Sequence, residues 1–115
     1  MAIPATGSVV LISFPFSDLS SSKLRPALVL AHIGHDDLIL CQLTSKPYDD
    51  PNAIPILSEN YSSGSLPITS YARPGKLFTA SNSLISGTIA TVSPKILQTV
   101  IDTLISILSD KPKHT

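Results

Sequence analysis

The sequence predicts a mainly β domain, an α+β fold in which short strands surround one core and a single amphipathic helix ends the chain. Three observations carry that expectation. Ten prolines and many Ser, Thr and Asn residues cut the chain into short segments, a pattern that suits strands and turns over a helix bundle. Apolar runs of strand length recur between those breaks. Only after Ser93 does the period become helical, at Ile96, Leu97, Val100, Ile101, Leu104, Ile105 and Leu108. At 115 residues there is room for one core, and residues 1–115 are expected to form one domain.

The first element is "SVVLISFPF", residues 8–16. It alternates, with Val10, Ile12, Phe14 and Phe16 on one side and Val9, Leu11 and Ser13 on the other, which predicts a strand. The Ser-rich "PFSDLSSSKLR" predicts a loop of about ten residues. "PALVLAHI" and "DLILCQLTS" predict two further strands, apolar on both faces as at the centre of a small barrel or sandwich. They are joined by "GHDD", whose Gly34 and Asp36 suit a turn. "KPYDDPN" predicts a loop, and "AIPILS" a short or edge strand, because Pro55 lacks the donor that a central ladder needs. "ENYSSGSLP" is expected to be the most flexible stretch. "KLFTASNSLISGTIATVS" predicts two strands, near 76–79 and 87–92, around a turn or short helical piece. Ser93 is a good N-cap and Pro94 suits the first helical position, so a helix is expected over about 94–109, packed on the sheet or on another subunit.

Composition narrows the function. A hydrophobic fraction of 43% against 14% charged residues points to a compact fold with surface that a partner covers. A net charge of zero argues against a protein that coats nucleic acid through a broad basic surface, while leaving room for a local site for a few nucleotides. No run approaches the roughly 20 apolar residues of a membrane span. No basic residue precedes the first apolar stretch, which makes a poor secretory signal, so a cytoplasmic protein with no membrane partner is expected. Cys41 lies in the apolar run "LILCQL" and reads as a small buried hydrophobe. His32, His35, Asp36 and Asp37 of "HIGHDD" fall in a hairpin turn, where such groups are far more often solvated than metallated. Seven residues of strand at about 3.3 Å each also separate His32 from Arg25 by roughly 20 Å. No metal and no cofactor are expected.

The order "GSVVLISFPFSDLSSSKLRPALVL", then "LTS" closing a strand, then "RPGKLFT" and a last helix, resembles the MazF/PemK family of toxins from type II toxin-antitoxin pairs. The most specific piece is the glycine, strand, Ser-rich loop and Arg-Pro-apolar strand over residues 7–30. The resemblance implies a small SH3-like barrel of the MazF/PemK/CcdB type with a C-terminal amphipathic helix, paired as a homodimer. It implies metal-independent, sequence-specific cleavage of single-stranded RNA, silenced by a cognate antitoxin whose extended C-terminal segment lies along the RNA groove. By the same resemblance the catalytic arginine falls on Arg25, and the threonine that orients the reacting phosphate on Thr44. A second arginine, six residues before a threonine in some members, falls on Arg73 with Thr79. The loop that gates the groove falls on Ser17 to Leu24. Many relatives carry an acidic residue two positions after the second arginine, where this chain has Gly75.

Chemistry agrees with those assignments. A lone arginine at a strand end is usually a solvated charge. A guanidinium, however, is always charged and presents a planar fork of donors that matches two phosphate oxygens, and Pro26 stiffens its position by restricting Arg25 to extended backbone. It serves as an electrostatic stabiliser and not as a base, since a guanidinium is a donor only and offers no lone pair to take up a proton. Thr44 shares a strand face with Gln42 and Leu40; the plainer alternative makes it a turn cap before Lys46-Pro47. Ser17, Asp18, Ser22, Lys23, Gln42, Ser45, Lys46, Arg73 and Lys76 are the expected RNA contacts, and Phe16 and Tyr48 the aromatic groups able to stack on bases. Two rival readings are a catalytically weakened toxin kept as an interaction module, and a gyrase poison like CcdB. The latter activity goes with a tryptophan near the chain's end, and this chain has none.

Overall fold

The computed structural model describes residues 3–15, 22–47 and 49–110. Seven strands run in chain order as β1 (Ser8–Pro15), β2 (Ser22–His32), β3 (Asp37–Thr44), β4 (Ile54–Ile56), β5 (Tyr61–Gly64), β6 (Ser70–Ser81) and β7 (Ile85–Val92), followed by helix α1 (Pro94–Ser109). They form one antiparallel sheet in the order β4-β6-β3-β2-β1-β7-β5. Register shifts in the β1–β7, β2–β3 and β3–β6 ladders mark bulges, which increase local twist and bend the strands that carry them. The sheet curls into an open barrel.

Because neighbouring side chains alternate, the central strands feed a core on each face. Val9, Leu28, Leu30, Cys41, Leu43, Ile56, Ala72, Ala90 and Val92 pack on one face, closed by Val100, Ile96, Leu97 and Leu104 of α1. Val10, Ile12, Ala27, Val29, Leu38, Leu40 and Ala80 pack on the other, joined by Phe78 and Ile85. This is why the β2 and β3 segments are apolar on both sides.

The helix follows its local signals. Ser93 Oγ accepts from the Ile96 N–H at 3.4 Å, and Pro94 occupies the first turn. Its apolar stripe is only partly used: Val100 is buried, whereas Ile105 and Leu108 are 54% and 73% exposed. β4 lies at the sheet edge as Pro55 requires. The "GHDD" turn closes through Asp37 N–H to Gly34 O and Ile33 N–H to Asp37 O.

Three expectations are corrected. "ENYSSGSLP" is a short 3-10 turn at Ser58–Asn60 followed by edge strand β5, held by pairing with β7. The strands expected at 76–79 and 87–92 extend over Ser70–Ser81 and Ile85–Val92. β2 begins at Ser22, so Arg25 is inside a strand that pairs with β1 and the expected loop of about ten residues is shortened from its C-terminal side. The strand expected over 8–16 is present as β1 to Pro15, and its last residue, Phe16, lies outside the described residues.

Cys41 is wholly buried, and its Sγ–H donates to Arg73 O at 3.2 Å. Burial pushes the thiol up to about 12, so it carries almost no thiolate at neutral pH. Its role is structural.

Candidate functional site

The β2–β3 ladder ends at Ala27↔Gln42. Beyond that pair β2 runs back to Ser22 paired only with β1, and β3 runs on to Thr44 paired only with β6. The sheet therefore divides into two arms. Pro26, which has no N–H to offer, stands where the ladder stops. Arg25 sits on one arm opposite Ile12, and Thr44 on the other opposite Tyr71. Counting from Ala27↔Gln42, both lie two residues past the last shared pair. Alternation puts Arg25 on the face of Ala27, and Thr44 on the face of Gln42, so the two line one notch.

Arg73 enters the same notch, because it is the register partner of Gln42. Its setting comes from an irregularity: Cys41 pairs with Leu77 and the next residue, Gln42, with Arg73, so Pro74, Gly75 and Lys76 form an extra loop out of β6. Pro74 is buried beneath that loop while Gly75 and Lys76 are exposed. The Cys41 thiol takes up the Arg73 carbonyl at the point of the shift. The guanidinium is fixed in turn, with Nε donating to Asp50 Oδ2 at 2.9 Å and Nη1 to Gln42 Oε1 at 3.2 Å.

Asp50 is the residue that sequence reading missed. Its side chain is 12% exposed and that of Arg73 16%. The hydrogen bond from Arg73, then that from the Asn52 N–H to Oδ1 at 2.8 Å, hold its carboxyl below the ordinary range. The signal available was the "DDPN" turn chemistry at 49–52, which marks a loop but not what the loop touches.

The other expected residues fall as follows. Arg25 is exposed and Thr44 half-buried. Thr44 Oγ1 accepts from the Lys46 N–H at 3.2 Å, so the turn-capping role is real. Acting as acceptor there leaves the hydroxyl proton for another oxygen. Gln42 is half-buried; Ser45 and Lys46 are exposed just past the end of β3. Ser22 and Lys23 lie on β2 by backbone position, with Lys23 two residues from Arg25. Ser17, Asp18, Phe16 and Tyr48 lie outside the described residues. Thr79 pairs with Ile39, well along β6 from Arg73. Lys23, Arg25, Lys46, Arg73 and Lys76 are five of the chain's eight basic residues. A neutral protein thus concentrates cationic positions at one end of its sheet, where they raise local anion concentration. His32 is at the far end of β2, its Nε2 2.6 Å from Pro4 O. Among the described residues no group of three or more His, Cys, Asp or Glu side chains is placed to hold a metal. No helix among them is long and apolar enough to cross a membrane.

Solved structures share this architecture. The MazE-MazF complex from Deinococcus radiodurans aligns with TM-score 0.78 and 18% identity, covering 96% of this chain and 100% of that one. MazF alone from the same organism gives 0.74 and 19%, covering 96% and 100%. An endoribonuclease in complex with its cognate antitoxin, from a mycobacterial species, gives 0.71 and 17%, covering 97% and 100%. At such identities the likeness speaks for the fold alone. Among curated proteins no sequence match is found. The family model for PemK-like, MazF-like toxins of type II toxin-antitoxin systems, in contrast, matches residues 5–108, which takes in both arms of the notch, the Asp50 loop and nearly all of α1. From that match across almost the whole chain, the protein belongs to the PemK-like, MazF-like toxin family of type II toxin-antitoxin systems.

Proposed function

We propose that this toxin is a sequence-specific, metal-independent endoribonuclease acting on single-stranded RNA, mRNA included. The observation that carries the reading is the notch, which sets an arginine and a threonine on opposite arms of a divided sheet, with a second arginine beside them. In the reaction the 2′-oxygen attacks the adjacent phosphorus and gives up its proton, the P–O5′ bond breaks, and the departing O5′ gains a proton. The products are a 2′,3′-cyclic phosphate and a 5′-hydroxyl. Arg25 supplies the fork of positive charge for the nonbridging oxygens as negative charge builds on them. Thr44 donates its hydroxyl proton to one of those oxygens, its own lone pair being used by Lys46 N–H. Ser17, Asp18, Ser22, Lys23, Gln42, Ser45, Lys46, Arg73 and Lys76 contact the strand on either side. With charge neutralisation provided by guanidinium groups, cleavage needs no divalent ion.

A cleavage assay in EDTA, with the product ends identified, tests this. We expect a cyclic phosphate end and undiminished rate, and a Thr44→Val loss of about 10- to 150-fold, the scale of a hydrogen bond to a charged group. An RNA left intact by the wild type, or a Thr44→Val protein as fast as the wild type, overturns the assignment.

The toxin works in the cytoplasm as a homodimer, with a cognate antitoxin laying an extended C-terminal segment in the RNA groove. A structure of the same fold, an endoribonuclease in complex with its cognate antitoxin, supports the partner. Exposed Leu24, Leu84, Ile105 and Leu108 support a second copy, since their apolar area gains by being covered. Sedimentation at micromolar concentration is expected to give a dimer mass; a monomer throughout would remove that part.

A further inference from the structure

We propose that Asp50 is a positioning residue for Arg73, holding its guanidinium in the orientation that the reacting RNA strand meets; this rests on the ribonuclease reading above. Both carboxylate oxygens are committed, Oδ2 to Arg73 Nε and Oδ1 to Asn52 N–H. The loop behind them is itself tied, by Asp50 N–H to Pro47 O at 3.0 Å and Ala53 N–H to Asp50 O at 3.2 Å. That loop leaves directly from Thr44, whose hydroxyl caps its first turn. Arg73 is therefore gripped by Asp50 at Nε, by Gln42 at Nη1 and by Cys41 at its backbone carbonyl. The acid comes from a separate loop and not from position 75, where glycine leaves open space.

A purely structural ion pair would pin the 45–53 loop to β6 and nothing more. The two roles differ in what happens to RNA. A carboxylate beside a groove that must hold phosphates opposes binding, so its presence there is explained if orientation is worth more to the reaction than raw attraction. Removing the charge while keeping the turn should make binding tighter and cleavage slower. Structural damage would weaken both.

Asp50→Asn is the suitable variant, because its amide oxygen can still accept from Asn52 N–H. It is to be compared with wild type, Arg73→Ala and the double variant. The measurements are single-turnover cleavage at saturating RNA, and affinity at low salt for the same oligonucleotide with a 2′-deoxy residue at the cut. We expect about a tenfold lower rate with two- to threefold tighter binding for Asp50→Asn, and no further loss of rate when Arg73 is already alanine. An equal loss in the Arg73→Ala background, or weakened binding together with slowed cleavage, overturns the proposal. A second readout is independent of cleavage. The Arg73 Nε–H resonance should stay protected from solvent exchange when the deoxy oligonucleotide binds, and should lose protection in Asp50→Asn. Displacement of the pair by the oligonucleotide in the wild type overturns positioning even if RNA is cut. Retained protection with an uncut RNA upholds positioning and overturns the nuclease reading instead.

Discussion

Arg25→Ala is expected to lower the single-turnover cleavage rate by at least about 100-fold, the effect of removing one donor aimed at developing charge, or roughly 2.7 kcal/mol of barrier. The fold should survive. Arg25 is exposed on β2 and belongs to neither core, and the strand on which it sits is kept extended by Pro26 and by pairing with β1 whatever the side chain is. Arg25→Lys separates charge from geometry, because an ammonium keeps the charge but is a point donor with no fork to span two oxygens. It should recover part of the lost rate and leave a deficit of roughly tenfold. The measurement is single-turnover cleavage at saturating RNA with circular dichroism on the same samples. Wild-type rates in the alanine variant, with the fold intact, would remove Arg25 from the mechanism.

What was legible in the sequence divides along the range of the interactions involved. Helix α1 begins at Pro94 and ends at Ser109 as the Ser93 cap, the proline and the apolar period indicate, because capping and amphipathic burial are decided within a few residues. The edge position of β4 was legible from one proline, and the "GHDD" turn from its own residues. The notch was legible only in part. Arg25, Thr44 and Arg73 stand out by motif, but the opening between them arises where one ladder stops and a three-residue loop interrupts another. Asp50 was not legible as a site residue at all, since its partner is 23 residues away in sequence. The capping role of Thr44, in contrast, was within reach, being a contact over two residues. Local chemistry fixes the elements; long-range register assembles the site.

β5 illustrates the same division and carries the second large effect. A glycine amid serines in "ENYSSGSLP" suggests slack, yet Gly64 is the tightest glycine in the described chain. A Cβ there would come within 2.5 Å of Ile89 O, 3.0 Å of Ala90 Cα and 3.2 Å of Ala90 Cβ. The nearest two are backbone atoms of β7, which cannot swing aside as a side chain does. The residue also has φ of +63°, in the left-handed region where an L side chain costs about 1–2 kcal/mol. Adding the typical 1–3 kcal/mol of overpacking, Gly64→Ala should destabilise by about 3 kcal/mol, or on the order of 10–15 °C in melting temperature for a domain of this size. Gly34→Ala is the control, since Gly34 has φ of +89° with nothing within 4 Å of the added carbon. It should show the backbone cost alone, about 1–2 kcal/mol. The excess at position 64 then measures the close approach of β5 to β7, a contact that lets Tyr61 reach the core closed by α1. Thermal and urea unfolding of the two variants decide it, with cleavage per folded molecule unchanged because neither glycine borders the notch. Equal losses at both positions would show that β5 yields without strain, and that the stretch is as slack as its composition suggests.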